Sequence, residues 1–326
     1  MRKTTVAFDD ALAGLASSSA PGSRILRGLT DLVGEQLADL QAAWPMLSDT
    51  RRAYLTEKLR EMAEDDIKLD FTPIFRFTIS DVDERVRLAS VEGLAEDETA
   101  SLIDPLAVLL RSDPSEVVRA ACATKLGDFM LLGELEKINR YRRDQVYSAL
   151  MGAILANEPA TLVYHRALES LAYVANEQIE QLIRDAFASD SPDLRVAAVC
   201  SMGRSNDRQY SEVVLKQVQA VYPAMRGAAA RACGELEVAA GVPVLGKLIG
   251  DSDNDVSLAA IISLAEIGGD DARRILEGVT KSSDEELAVA AGEALEEFDF
   301  LHGDIKFDTS WFDEVGAGEH DHEQDA

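Results

Sequence analysis

Only three cysteines occur in 326 residues, Cys122, Cys200 and Cys233, and none stands in CxxC spacing. An odd thiol count without metal or redox spacing argues against a disulfide framework and for a reducing compartment. Aromatic residues make up 6% of the chain, while 47% of it is hydrophobic, a balance expected of closely packed helices rich in Ala, Leu and Val. No apolar run approaches the ~18 residues of a membrane span, and the opening Met1-Arg2-Lys3-Thr4-Thr5-Val6 lacks the apolar core of a signal peptide. No membrane partner and a cytoplasmic location are expected. Basic residues are also scarce, 32 against 59 acidic for a net charge of −27, so the average field repels nucleic acid and anionic membranes.

What the chain does have is a repeat. Val163-Tyr164-His165-Arg166-Ala167, Leu194-Arg195-Val196-Ala197-Ala198, Met225-Arg226-Gly227-Ala228-Ala229, Val256-Ser257-Leu258-Ala259-Ala260 and Leu287-Ala288-Val289-Ala290-Ala291 begin 31 residues apart. The pattern recurs upstream at Val118-Arg119-Ala120-Ala121, Val86-Arg87-Leu88-Ala89 and, more faintly, Arg51-Arg52-Ala53-Tyr54. A constant step in helix-forming sequence predicts a stacked α-solenoid. The step from 118 to 163 is 45, which places an insertion within 129–145. Turns such as Ser112-Asp113-Pro114-Ser115-Glu116 and Asp251-Ser252-Asp253-Asn254-Asp255 offer N-cap oxygens before each second helix. They lack the twelve-residue spacing of a calcium loop.

These features organise the chain into five parts: a flexible leader over 1–22, an N-terminal capping helix over 23–47, the repeat array over 48–298 and an acidic tail over 299–326, with the insertion inside the array. The capping helix is read from Ile25, Leu26, Leu29, Leu32, Val33, Leu37 and Leu40 at helical spacing. The tail carries nine acids against Lys306.

The segment Val242-Pro243-Val244-Leu245-Gly246-Lys247-Leu248-Ile249-Gly250-Asp251, followed by Val256-Ser257-Leu258-Ala259-Ala260 and Leu264-Ala265-Glu266-Ile267-Gly268, resembles a HEAT repeat of the short, phycobilisome-lyase-like type. The resemblance implies an all-α, right-handed superhelix of about eight helix pairs, with the second helices lining a concave side. It implies partner binding more than catalysis, because one such architecture hosts many functions. It also implies that Arg87, Arg119, Arg195 and Arg226 pair with turn aspartates of the same or the next repeat rather than forming a phosphate track.

Counting from the first apolar residue of each second helix, about 100° per residue places +3 and +8 in the core and +2 and +6 on the opposite face. The outward pairs Val196/Cys200 and Leu258/Ile262 are apolar on an otherwise charged array, with Arg231 between them. These five residues are the expected protein-contact patch. In the tail, Trp311 and Phe312 are framed by acids and serve either as a cap on the last repeat or as a short linear motif. Lys137-Ile138-Asn139-Arg140-Tyr141-Arg142-Arg143 is the one dense basic cluster.

No catalytic constellation, metal site or cofactor site is found. HEAT-type deoxyhypusine hydroxylases use repeated His-Glu pairs as iron ligands, and only His322-Glu323 has that form here. The expected function is a non-catalytic interaction scaffold for a protein partner. The alternative is a subunit or chaperone of a bilin or other cofactor lyase, with nucleic-acid binding a weaker third reading.

Overall fold

The computed structural model describes residues 7–17 and 21–302, and these contain eighteen α-helices and no strand. The N-terminal part holds α1 (Phe8–Leu15), α2 (Ser23–Leu26), α3 (Gly34–Ala43) and α4 (Asp49–Asp65). There follow α5 (Thr72–Thr78) and α6 (Glu84–Gly93), α7 (Ile103–Ser112) and α8 (Glu116–Glu134), and α9 (Arg140–Ala156) and α10 (Leu162–Leu171). The array continues with α11 (Glu177–Phe187) and α12 (Pro192–Arg204), α13 (Ser211–Gln217) and α14 (Pro223–Glu235), α15 (Val242–Leu248) and α16 (Asn254–Ile267), and α17 (Asp270–Val279) and α18 (Glu285–His302). The even-numbered helices from α4 to α18 pack in unbroken succession, each also against its preceding odd-numbered helix from α6 onward. The result is a solenoid of paired helices.

The second helices start where a side-chain oxygen closes the first turn. Ser48, Asp83, Thr161, Ser191 and Asp253 each accept a hydrogen bond from a backbone N–H in the first turn of α4, α6, α10, α12 and α16. Small residues at +3 then let neighbouring helices approach: Ala89, Ala197, Ala228 and Ala259 are buried, as are Leu94, Leu126, Leu171, Met202 and Leu264 at +8. In α18 the equivalents Ala290 and Leu295 are only half-buried, because no further unit stacks on them among the described residues.

Two segments differ from the sequence expectation. Residues 8–15 of the stretch read as a flexible leader form a helix that buries Ala11 and Leu15. The stretch read as one capping helix over 23–47 is broken between α2 and α3, where Asp31 and Gly34 take positive φ values of 56° and 54°. Leu26, Leu29, Leu32 and Leu40 are buried, but Val33 falls in the break and is 70% exposed. The inserted residues add no separate helix. Residues 129–145 comprise the end of α8, a turn and the start of α9, which run to 19 and 17 residues.

The arginine at +1 ties one unit to the next. Arg52 reaches Asp81 at 2.8 Å, Arg87 reaches Asp113 at 2.7 Å and Arg226 reaches Asp251 at 2.7 Å, each aspartate lying in the turn of the following unit. Each of these aspartates also accepts the backbone N–H two residues on, from Asp83, Ser115 and Asp253. One carboxylate therefore holds a turn and a neighbouring helix together. Arg119 and Arg195 bond only to backbone carbonyls, of Asp113 and Pro114 and of Ser189. The matching turn position after Arg195 is Ala220, which has no carboxylate to offer.

Candidate partner-binding face

Along α6, α8 and α10 the second helices leave a groove of about 410 Å³. Leu88, Val91, Val117, Ala121 and Leu162 supply its apolar lining, and Glu92, Lys125, Asp128 and Arg166 its polar part. Val117 is 46% and Leu162 37% exposed. A second depression of about 290 Å³ shares Leu162 and Arg166 and extends across His165, Glu169, Val196 and Ala224 toward α14. The two adjoin at Leu162 and Arg166.

The residues expected to make the contact patch are spread along this face. Val196 lines the second depression. Cys200 and Leu258 are half-buried, Arg231 is exposed, and Ile262 is 47% exposed. Trp311 and Phe312 lie outside the described residues. The sequence reading missed Val117 and Leu162, which stand immediately before the first core residue of α8 and α10. At that position the later units carry Asp193, Ala224, Asp255 and Glu286, so two exposed apolar residues there were a legible departure.

Charge on the face is organised by burial. Glu169 is 3% exposed and is held by Arg166 at 2.8 Å and Arg204 at 3.7 Å. Glu235 and Glu266 fold over Gly203 and Gly234, taking the space a Cβ there would need. Burial pushes both carboxyls up to about 7. Arg204 and Arg231 oppose that rise at Glu235, whereas at Glu266 the neighbouring Glu235 and Glu297 add to it.

The nucleophile candidates are quenched. Burial pushes the Cys122, Cys200 and Cys233 thiols up to about 12, far from the depressed values of reactive cysteines. The His165 imidazole is buried, with Nε2 2.8 Å from the Pro159 carbonyl. Among the described residues no three His, Cys, Asp or Glu side chains are grouped to hold a metal ion, and no helix is long and apolar enough to cross a membrane. The basic cluster after α8 is largely paired: Arg142 meets Asp104 at 2.8 Å, and Arg143 meets Glu134 at 2.6 Å and Asp144 at 3.1 Å.

A family model described as HEAT repeats matches residues 211–296. No curated protein matches the chain in sequence. Among solved structures the chain is similar to human deoxyhypusine hydroxylase in complex with glycerol, at 16% identity over 90% of this chain and 96% of that one, with a TM-score of 0.38. It is similar to importin beta at 12% identity, over 89% of this chain and 41% of that one, with a TM-score of 0.42. An engineered protein matches at 19% identity over 61% of this chain and 96% of its own, with a TM-score of 0.38. Likeness at this level transfers no activity.

Proposed function

We propose that this HEAT-repeat protein is a non-catalytic interaction scaffold that holds a protein partner along its row of second helices. The observation that carries the reading is the trough over α6, α8 and α10, where the exposed Val117 and Leu162 extend an apolar lining of Leu88, Val91 and Ala121 beside Glu92, Lys125, Asp128 and Arg166. Exposed apolar surface rimmed by polar groups is what a partner's anchor side chains fill. Glu92, Lys125, Asp128 and Arg166 set charges of both signs around the apolar lining, which a partner must match to dock in register. Val196, Cys200, Arg231, Leu258 and Ile262 extend the proposed contact toward the C-terminal units, with Trp311 and Phe312 as a further proposed element.

The test is affinity capture from native lysate with quantitative mass spectrometry, using the full chain, the double variant Val117→Glu/Leu162→Glu and the double variant Leu258→Glu/Ile262→Glu. Loss of the same proteins in the first variant, with helicity and Tm preserved, supports the trough as the binding face. Loss only in the second moves the site to the C-terminal units. An unchanged protein set in both removes the proposal.

A further inference from the structure

On the other side of the array, between α7 and α9, lies a pocket of about 700 Å³ that the scaffold reading does not use. Its size is in the range of small-molecule sites. Leu110, Ala149, Gly152 and Ala153 give it an apolar lining, and Arg111 and Arg119 bring two guanidinium groups. The pocket coincides with two departures from the repeat. It forms at the junction where the step lengthens to 45 residues, so that the long α9 turns the small residues Ala149, Gly152, Ala153 and Ala156 toward it. At the same junction the ladder of interunit ion pairs is interrupted.

The interruption leaves cationic capacity unspent. Arg87 and Arg226 are neutralised by Asp113 and Asp251, but no carboxylate among the described residues pairs with Arg119 or Arg111. The turn position that would serve Arg119 is Glu158, which is exposed and makes no ion pair with it. Arg119 is half-buried and uses Nη1 alone, toward the carbonyls of Asp113 and Pro114 at 2.7 and 3.3 Å. Its other guanidinium donors are available in a rigid fork suited to a carboxylate. The one acid on the wall, Asp113, is already committed to Arg87 by bonds of 2.7 and 2.9 Å.

We propose that this pocket binds an amphipathic organic anion, its carboxylate on Arg119 with Arg111 nearby and its apolar body along Leu110, Ala149, Gly152 and Ala153. A Cβ at Gly152 would meet nothing within 4 Å, so a larger side chain there enters the pocket without a backbone clash. The experiment is calorimetric titration of the full chain with decanoate below its micellar concentration, with decanol and decyltrimethylammonium as comparators. Saturable one-to-one decanoate binding is expected, weakened at least about tenfold by Arg119→Gln, the scale of losing a hydrogen bond to a charged group. Gly152→Leu, which keeps both arginines, weakens it as strongly by filling the space. Arg195→Gln, which removes another carbonyl-held arginine of the array, leaves it unchanged. No saturable binding, equal binding of the ammonium probe, full affinity in both pocket variants, or equal weakening by Arg195→Gln overturns the site. Circular dichroism and Tm establish that each variant is folded, and Gly152→Leu alone decides the matter if Arg119→Gln does not fold.

Discussion

Arg87 and Asp113 stand 26 residues apart and meet through two hydrogen bonds, Nε to Oδ2 at 2.7 Å and Nη2 to Oδ1 at 2.9 Å. Their side chains retain 9% and 2% of their exposure. Removing one partner of a buried pair strands the other charge in a poorly solvating site, at about 3–5 kcal/mol. Asp113→Ala is therefore expected to lower stability by about 3 kcal/mol in urea unfolding, losing the Ser115 turn bond as well. Arg195→Ala, which gives up a single carbonyl bond and no ion pair, is expected to cost about 1 kcal/mol. Equal costs for the two would show that the ion pair adds nothing to unit stacking.

Glycines at two helical sites make opposite predictions. A Cβ at Gly127 would stand 2.6 Å from Ser170 Oγ and 3.3 Å from its Cα, and Ser170 is pinned by its hydrogen bond to the Ala123 carbonyl. Gly127→Ala is expected to destabilise by about 1–3 kcal/mol through overpacking, despite its better helix propensity. Gly152→Ala meets nothing and is expected to stabilise by up to about 1 kcal/mol. Thermal unfolding of the two variants checks both signs.

The repeat and the core were legible because stacking imposes a strict spacing: Ala89, Ala197, Ala228 and Ala259 recur at one helical position, and only a small side chain serves there. The arginine ladder was legible in outline, but its gaps depend on which turn faces which helix. Ala220 and Glu158 occupy the register positions that Asp113 and Asp251 fill elsewhere, and Arg195 and Arg119 bond only to carbonyls. The trough was harder to read, since Val117 and Leu162 stand one residue ahead of the helical arcs that periodicity examines, and sequence alone does not give their exposure. The pocket between α7 and α9 arises from the same insertion that the 45-residue step revealed. Spacing alone locates extra residues without saying that they lengthen two helices.

The thiols offer a direct check on the reading that catalysis is absent from the second helices. With burial raising all three to about 12, thiolate is a minor species at neutral pH, and reaction with a disulfide reagent requires opening of the array. Cys200, half-buried where Cys122 and Cys233 are fully buried, is expected to react first in the native protein. All three should become reactive together in denaturant. Rapid native labelling of Cys122 or Cys233 would contradict the packing described.

Glu235 and Glu266 set a pH dependence with a definite sign. Both carboxyls are pushed by burial from 4.5 to about 7, so between these values the folded chain holds protons that the unfolded chain has released. Stability attributable to these groups is thus greatest below about 4.5, falls as pH rises toward 7 and changes no further above it. Glu266→Gln removes a charge that also repels Glu235 and is expected to raise Tm at pH 8 while leaving Tm at pH 5 nearly unchanged. Glu235→Gln should gain less, because it also gives up attraction to Arg204 and Arg231. The double variant should flatten the pH profile across this window relative to the parent. Thermal melts at pH 5 and pH 8 decide it: a gain at pH 5 equal to that at pH 8 would show that ionisation of these groups is not the source.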